Sequence, residues 1–543
     1  ASAADDDVAK VGNDTYATVA KAVQAVIESD TKTGTVTLLQ STSGGGIGLF
    51  NSKGAEGVDL TIDLGGFTYT CTDPAVGSTG TESQGFHFEQ GNTVTLKNGT
   101  INVSSDSKKT QMLIQNYCDL TLEDLTLNGS AVTQYIISSN YGDMKLRNVN
   151  IAGTHSNLVG IDLMHWLGTG YADQPPTITI ENTNDNVIDG SIDVYCYGTG
   201  SDTCESKPTL SISGGAFSAD VSKYTAEGYT VVEDGEGHYV VQTLDATNAV
   251  AQVGESYYKT LAEAVNTAND GETVTLLKTT TGNGQILISD GRKLTLNMNG
   301  FDIGFAKNGH INIKHGALDI IGSGKLYEEQ PYFAPIMLYG SETDQADYTT
   351  VTVGKDVTLQ GWSGLFIDYN NAKKAYGVKA TVYGTLNSVK DIEGAGGHAL
   401  YLQGMITDTT GNVPEIVLDG ATLNTEDGNG MYLAGYAKTT ITDSTIISNS
   451  EGSTGIEIRA GELEITNSTI IGGSGEYTGA PNGNGSTSFN VALAVAQHTT
   501  KLPIKVTVHS GTFSADYVVA DTGIGMSREF QKLLFEPFTQ ERR

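Results

Sequence analysis

The sequence predicts an all-β protein built as two tandem parallel β-solenoid units, each opened by a strand–helix–strand cap. Three observations point there. VAKVGNDTYATVAKAV at 8–23 aligns without a gap with VAQVGESYYKTLAEAV at 250–265, and TVTLL at 35–39 recurs at 273–277, which marks a duplicated unit. Within each unit a finer repeat returns about every two dozen residues: TVTLKNGTINV at 93–103, DLTLEDLTLNG at 119–129 and DMKLRNVNIAG at 143–153, then EIVLDGATLNT at 415–425, KTTITDSTIIS at 438–448 and ELEITNSTIIG at 462–472. The composition, with 67 Gly, only 10 Pro and a wealth of Thr, Ser and Asn, suits short strands joined by tight turns and suits helices poorly.

In the opening element, Thr18 is placed to cap a helix whose apolar positions run from Val19 to Ile27, and the matching helix spans about Thr260 to Ala268 before Asn269-Asp270-Gly271 stops it. So short a helix is marginal alone and must dock its apolar face. The first rung of a stacked sheet needs such a cover, so the element reads as a cap.

A period of two dozen residues is too short for a strand–helix crossover but right for one solenoid coil of two or three strands. Leu96, Leu122, Leu146, Leu418, Ile441 and Ile465 would stack into a dry core. Two places beyond most of these anchors come Asn98, Asp124, Asn148, Asp443 and Asn467, where the chain has to bend. Short amides and carboxylates tolerate left-handed geometry there and can bond from coil to coil, so they read as a structural turn ladder. Val8 and Val250 are 242 residues apart, whereas the closing segments GGAFSAD and SGTFSAD, at Gly215 and Gly511, are 296 apart. Unit 2 therefore carries about two extra coils, where an added functional surface would sit.

The cap motif, LTIDLGGF at 60–67, LTLNMNGF at 294–301, the coil repeat and the two closing segments resemble the right-handed parallel β-helix proteins of the pectate-lyase-like superfamily. More narrowly, they resemble repetitive surface proteins of gut Gram-positive bacteria. The resemblance covers about residues 8–520 and implies two tandem right-handed parallel β-helix units. The expected division is 1–7 as a residual processed N-terminus, 8–243 as unit 1 with its closing hairpin, 244–520 as unit 2, and 521–543 as a separate tail. The fold hosts lyases, hydrolases, adhesins and stalks alike, so it does not fix an activity.

The tail has another likeness. DTGIGM at 521–526 and LFEPFTQ at 534–540 resemble two nucleotide-binding boxes of sensor histidine kinases. By that motif Asp521 would bond the adenine amine, and Gly523 and Gly525 would let the loop approach the nucleotide. The magnesium-holding Asn box, the phosphoacceptor helix and the last glycine box are absent from the sequence, and one segment cannot build a site assembled from several. The tail is read as a non-functional remnant or an artefactual join.

A net charge of −32 disfavours nucleic acid and anionic membranes as partners, and no apolar run of ~18 residues is present to span a bilayer. Ala1-Ser2-Ala3-Ala4 before three aspartates has the look of a signal-peptide cleavage region, which predicts a secreted or cell-surface protein. Cys196 and Cys204 bracket a loop that a small disulfide would close; Cys71 and Cys118 fall on neighbouring coils, as a facing pair or as buried free thiols.

Family lyases use calcium and a basic residue, and family glycosidases use converging carboxylates. Arg459, beside Glu457, is the best placed of the three arginines before the tail, and Asp162 with His165 forms the most enzyme-like cluster. Trp166 and Trp362, with the many tyrosines, are candidates for carbohydrate or protein contact. The acid-rich loop at 182–193 offers oxygens for Ca²⁺; no other cofactor is expected and no metal ligand set is defined. The expected function is an adhesin, stalk or binding module for host or microbial glycans or surface proteins, without catalysis. The alternative is a polysaccharide lyase or glycoside hydrolase working in a groove of the β-helix.

Overall fold

Each unit begins with its cap. In unit 1 the strands Ala9–Val11 and Asp14–Tyr16 form an antiparallel hairpin, and the first of them also pairs antiparallel with Thr33–Leu38, the opening strand of the solenoid. The helix Val19–Glu28 starts at Thr18, whose hydroxyl accepts the Lys21 N–H at 3.1 Å. Its buried side, Val19, Ala22, Val23 and Val26, closes the end of the core. Gly34 makes room for it, since a Cβ there would lie 2.9 Å from the Val26 side chain. Unit 2 repeats the device with Ala251–Val253, Ser256–Tyr258 and the helix Leu261–Thr267, capped by Thr260 accepting from Glu263 N–H at 3.1 Å. The hairpin occupies the edge that the first parallel strand would otherwise leave open.

The computed structural model describes residues 6–521 apart from 154, 156–157, 199–203, 205, 369–373, 449, 476–478 and 483–484. It divides into two compact units, Ala1–Leu244 and Asp245–Arg543. Each is a parallel β-helix in which every coil supplies strands to stacked, in-register parallel sheets. Alternation along the strands sends one residue in two inward. In unit 1 Ile62, Leu96, Leu122, Leu146, Ile180 and Ile212 stand in one register column, each at most 2 % exposed. In unit 2 the column runs Leu296, Ile320, Val353, Val382, Leu418, Ile441, Ile465 and Val508. Each solenoid thus holds one elongated apolar core.

The bend between first and second sheets falls on residues with left-handed backbone: Asn98 (φ 60°), Asp124 (51°), Asn148 (53°), Asp443 (49°) and Asn467 (46°). Asn98 donates its side-chain amide to Asp63 at 3.0 Å, Asn148 to Asp124 at 3.0 Å, and Asn467 to Asp443 at 2.5 Å. An amide thus meets a carboxylate one coil earlier. In unit 1 this bend does not interrupt the pairing, so Thr93–Val103, Asp119–Asn128 and Asp143–Ala152 run as single strands through it. In unit 2 the equivalents are separate, as Lys438–Thr442 and Thr445–Ile447.

Unit 1 closes with the hairpin Tyr229–Glu233 and Tyr239–Thr243, which pairs antiparallel with Gly215–Phe217. Among the described residues the third sheet has six strands in unit 1 and nine in unit 2. No helix is long and apolar enough to cross a membrane.

Candidate functional site

The outer face of the third sheet in unit 2 carries a second apolar cluster apart from the core. Leu338, Ile367, Leu402, Leu433 and Ile458 stack inward in register. One residue earlier, on the outward side, the same strands align Met337, Phe366, Tyr401, Tyr432 and Glu457. Successive coils lie about 4.8 Å apart, so aromatic side chains in one column must meet. Phe333 lies 6.5 Å from Phe366, Phe366 4.7 Å from Tyr401, and Tyr401 5.7 Å from Tyr432, ring centre to ring centre. His398 stacks on Tyr432 at 4.8 Å, and Trp362 packs edge-on to His398 at 5.7 Å and Tyr401 at 6.2 Å. At one end Tyr332 and Phe333 are 50 % and 37 % exposed.

Glu328, itself buried, organises that end. Its carboxylate accepts the backbone N–H of Phe333 at 2.9 Å, of Trp362 at 3.0 Å and of Tyr332 at 3.1 Å. Burial raises its pKa, and those three donors oppose the rise. At the other end Tyr432 accepts from Arg459 at 3.1 Å, and Arg459 Nε sits 3.0 Å from Glu457. The other Glu457 oxygen accepts from Asn429 at 3.0 Å. Burial pushes the Glu457 carboxyl up while Arg459 and Asn429 pull against it. A carboxylate held by two donors, one of them cationic, is an anchor for Tyr432 rather than a free base.

In unit 1 the third sheet brings different groups outward. Ser138, Asp162 and Asp193 occupy one register column. Asp162 is buried and accepts from Ser138 at 2.8 Å, whereas Asp193 is exposed. Burial raises the Asp162 pKa, bonds from Ser138 and Tyr195 oppose that, and the charge of Asp193 adds to it. Nearby, Tyr117, Tyr171 and Trp166 make a ring cluster, with centres 5.3 Å apart for the first pair and 4.6 Å, stacked, for the second.

Strand alternation separates His165 from Asp162: three residues apart, they face opposite sides of Val159–Trp166. His165 shares its side with Leu163 of the core and bonds the Ser206 carbonyl through Nδ1 at 2.7 Å. Trp166 and Trp362 both belong to aromatic clusters. Cys196 and Cys204 are disulfide-bonded, while Cys71 and Cys118 are buried free thiols. In the loop at 182–193, Asn182 is spent on both backbone groups of Val149. The acid and thiol clusters close enough to hold a metal, among the described residues, are His165/Cys196/Cys204 and Asp234/Glu236/His238. Asp521 ends the strand Tyr517–Asp521; Gly523 and Gly525 lie outside the described residues.

Two features escaped the sequence reading. Asp193 entered it only as the last residue of the acid-rich loop, and its place beside Asp162 had a signal, because Ile-Asp-Leu at 161–163 and Ile-Asp-Val at 192–194 are the same strand pattern one coil apart. Glu328 had none, since its role is to gather backbone from two distant turns. A shallow depression on the outer face of the first sheet of unit 2, about 610 Å³, is lined by Thr295, Thr350, Thr352, Lys293, Lys379 and the His315–Tyr348 stack. It is open, and it lacks the converging rings of the third sheet. No protein-family model matches the chain and no curated protein matches it, so these sites stand on their own geometry.

Proposed function

We propose that the protein is a secreted or cell-surface β-helix protein of adhesin or stalk type that binds carbohydrate without cleaving it, through the third-sheet face of unit 2. One observation carries this reading: the run of rings from Tyr332 to Tyr432 on the outer face, outside the core. Aromatic faces with polar tips suit the apolar faces and hydroxyl edges of sugars. Exposed apolar surface marks an interaction surface, and here Tyr332 and Phe333 are exposed, Trp362, Tyr401 and Tyr432 are half-buried, and Phe366 is buried beneath them. The net charge of −32 selects neutral or cationic glycans over polyanions. The test is a glycan array that includes neutral, amino and sulfated chains, followed by product analysis of every bound glycan. Binding of neutral or amino glycans left intact supports the reading; retention of sulfated chains alone, or no retention, defeats it.

A second reading is favoured by Asp162 and Asp193. Two carboxyls on adjacent coils, one buried with a raised pKa and one exposed, have the division of labour that glycoside hydrolysis requires. Defined cleavage products that vanish in Asp162→Asn would establish it in place of the first.

A further inference from the structure

We infer that His165, Cys196 and Cys204 form a redox-gated site for a borderline-soft divalent cation of the zinc type. His165 stands directly opposite Cys196 in the register of Val159–Trp166 with Ser191–Tyr197. A ring nitrogen of His165 and the two sulfurs all lie within 4.8 Å of one another. The histidine is 1 % exposed, and Nδ1 is 2.7 Å from the Ser206 carbonyl oxygen, which can only accept. That bond assigns a proton to Nδ1 and makes Nε2 the nitrogen left to bind a metal, the arrangement in which a backbone carbonyl orients an imidazole ligand. Nε2 is buried with no hydrogen-bond partner. An unsatisfied buried polar atom is costly, and a site for a cation accounts for it.

The disulfide and the metal site exclude each other. A small thiol or dithiol reductant supplies two electrons and two protons, breaks the S–S bond of Cys196 and Cys204, and is itself oxidised to a disulfide. The two thiols then lose two protons to the solvent as they bind the cation, giving one imidazole and two thiolate ligands. Zinc takes four ligands, so the fourth position is left to water. Cys196 and Cys204 are each partly exposed, which opens the path for both reductant and cation. This site lies in unit 1 and does not depend on the aromatic face of unit 2.

The test uses the full chain reduced with a phosphine under nitrogen and titrated with Co²⁺, a spectroscopic stand-in for Zn²⁺. A thiolate-to-cobalt charge-transfer band and tetrahedral visible absorption, saturating at one ion per chain and displaced by Zn²⁺, are expected. The oxidised chain should show neither. Cys196→Ser should abolish the bands, and His165→Gln should weaken binding at least about tenfold, the scale on which even outer-shell partners act. In the wild-type chain, one equivalent of Zn²⁺ should protect Cys196 and Cys204 from alkylation. Absence of the thiolate band, its persistence in Cys196→Ser, or failure of Zn²⁺ to protect the wild-type thiols overturns the inference. The alkylation result needs no variant to fold.

Discussion

Glu328 accepts the backbone N–H of Trp362 at 3.0 Å across 34 residues of chain. Because the same carboxylate also takes the N–H groups of Tyr332 and Phe333, one buried acid fixes the backbone of three aromatic residues at one end of the outer-face run. Glu328→Ala would leave three donors without their acceptor, at a cost of about 1–3 kcal/mol for each that water cannot reach. The chain has two tryptophans, so Trp166→Phe isolates Trp362 emission. In that background, Glu328→Ala should shift the emission to the red and lower the melting temperature.

The amide–carboxylate ladder should be worth more than its hydrogen bonds. Asn148 has φ 53° and donates to Asp124. Asn148→Gly keeps the backbone and loses the bond, about 0.5–1.5 kcal/mol. Asn148→Ala loses the bond and adds roughly 1–2 kcal/mol of left-handed strain. Urea denaturation should therefore rank wild type above Asn148→Gly above Asn148→Ala.

The caps should protect the ends of the cores. Thr18→Ala and Thr260→Ala each remove a side-chain acceptor from a helix start and should cost about 1 kcal/mol. Val23→Asp attacks the docked face of the helix, where Val23 is 3 % exposed. Uncovering the first rung should produce association visible in light scattering, as an open sheet end predicts.

Stability of unit 1 should fall in mild acid through His87. Burial pushes this histidine down to about 4, below the ~6.5 of an unfolded imidazole. A depressed folded pKa contributes stability that is full above about 6.5 and is lost as the pH falls toward about 4. Asp162 runs the other way: burial raises its pKa, so its contribution is full below the unfolded ~3.9 and is lost as the pH rises through the folded value. As the pH falls from 7 to 4, melting temperatures should drop less steeply for His87→Gln than for wild type, while Asp162→Asn should gain on wild type as the pH rises.

The parallel β-helix was legible because its signals are periodic. Leu96, Leu122 and Leu146 return at near-constant spacing, and the capping helices announce themselves through a threonine and an apolar stripe. The fusion of first and second strands in unit 1 was not legible, because a left-handed asparagine bends a strand without ending its pairing. The aromatic run was hidden for a different reason. Phe366, Tyr401 and Tyr432 are separated by 35 and 31 residues, intervals set by unequal loops, and they line up only once the register of the coils is known. Glu457 and Arg459 could be paired from sequence, being two apart at the end of a strand, but the contact of Arg459 with Tyr432 belongs to the neighbouring coil. Asp162 and His165 illustrate the converse: proximity in sequence suggested a cluster that strand alternation divides.

The central claim is that the ring run of unit 2 binds carbohydrate. Calorimetric titration of the best neutral glycan from the array into wild type, Tyr401→Ala, Trp362→Ala and the unit 1 control Trp166→Ala tests it most directly. A stacked ring contributes about 1 kcal/mol, so Tyr401→Ala and Trp362→Ala should each weaken binding about fivefold or more, with Trp166→Ala unchanged. Equal affinity in all four proteins, or loss only in Trp166→Ala, would contradict the account.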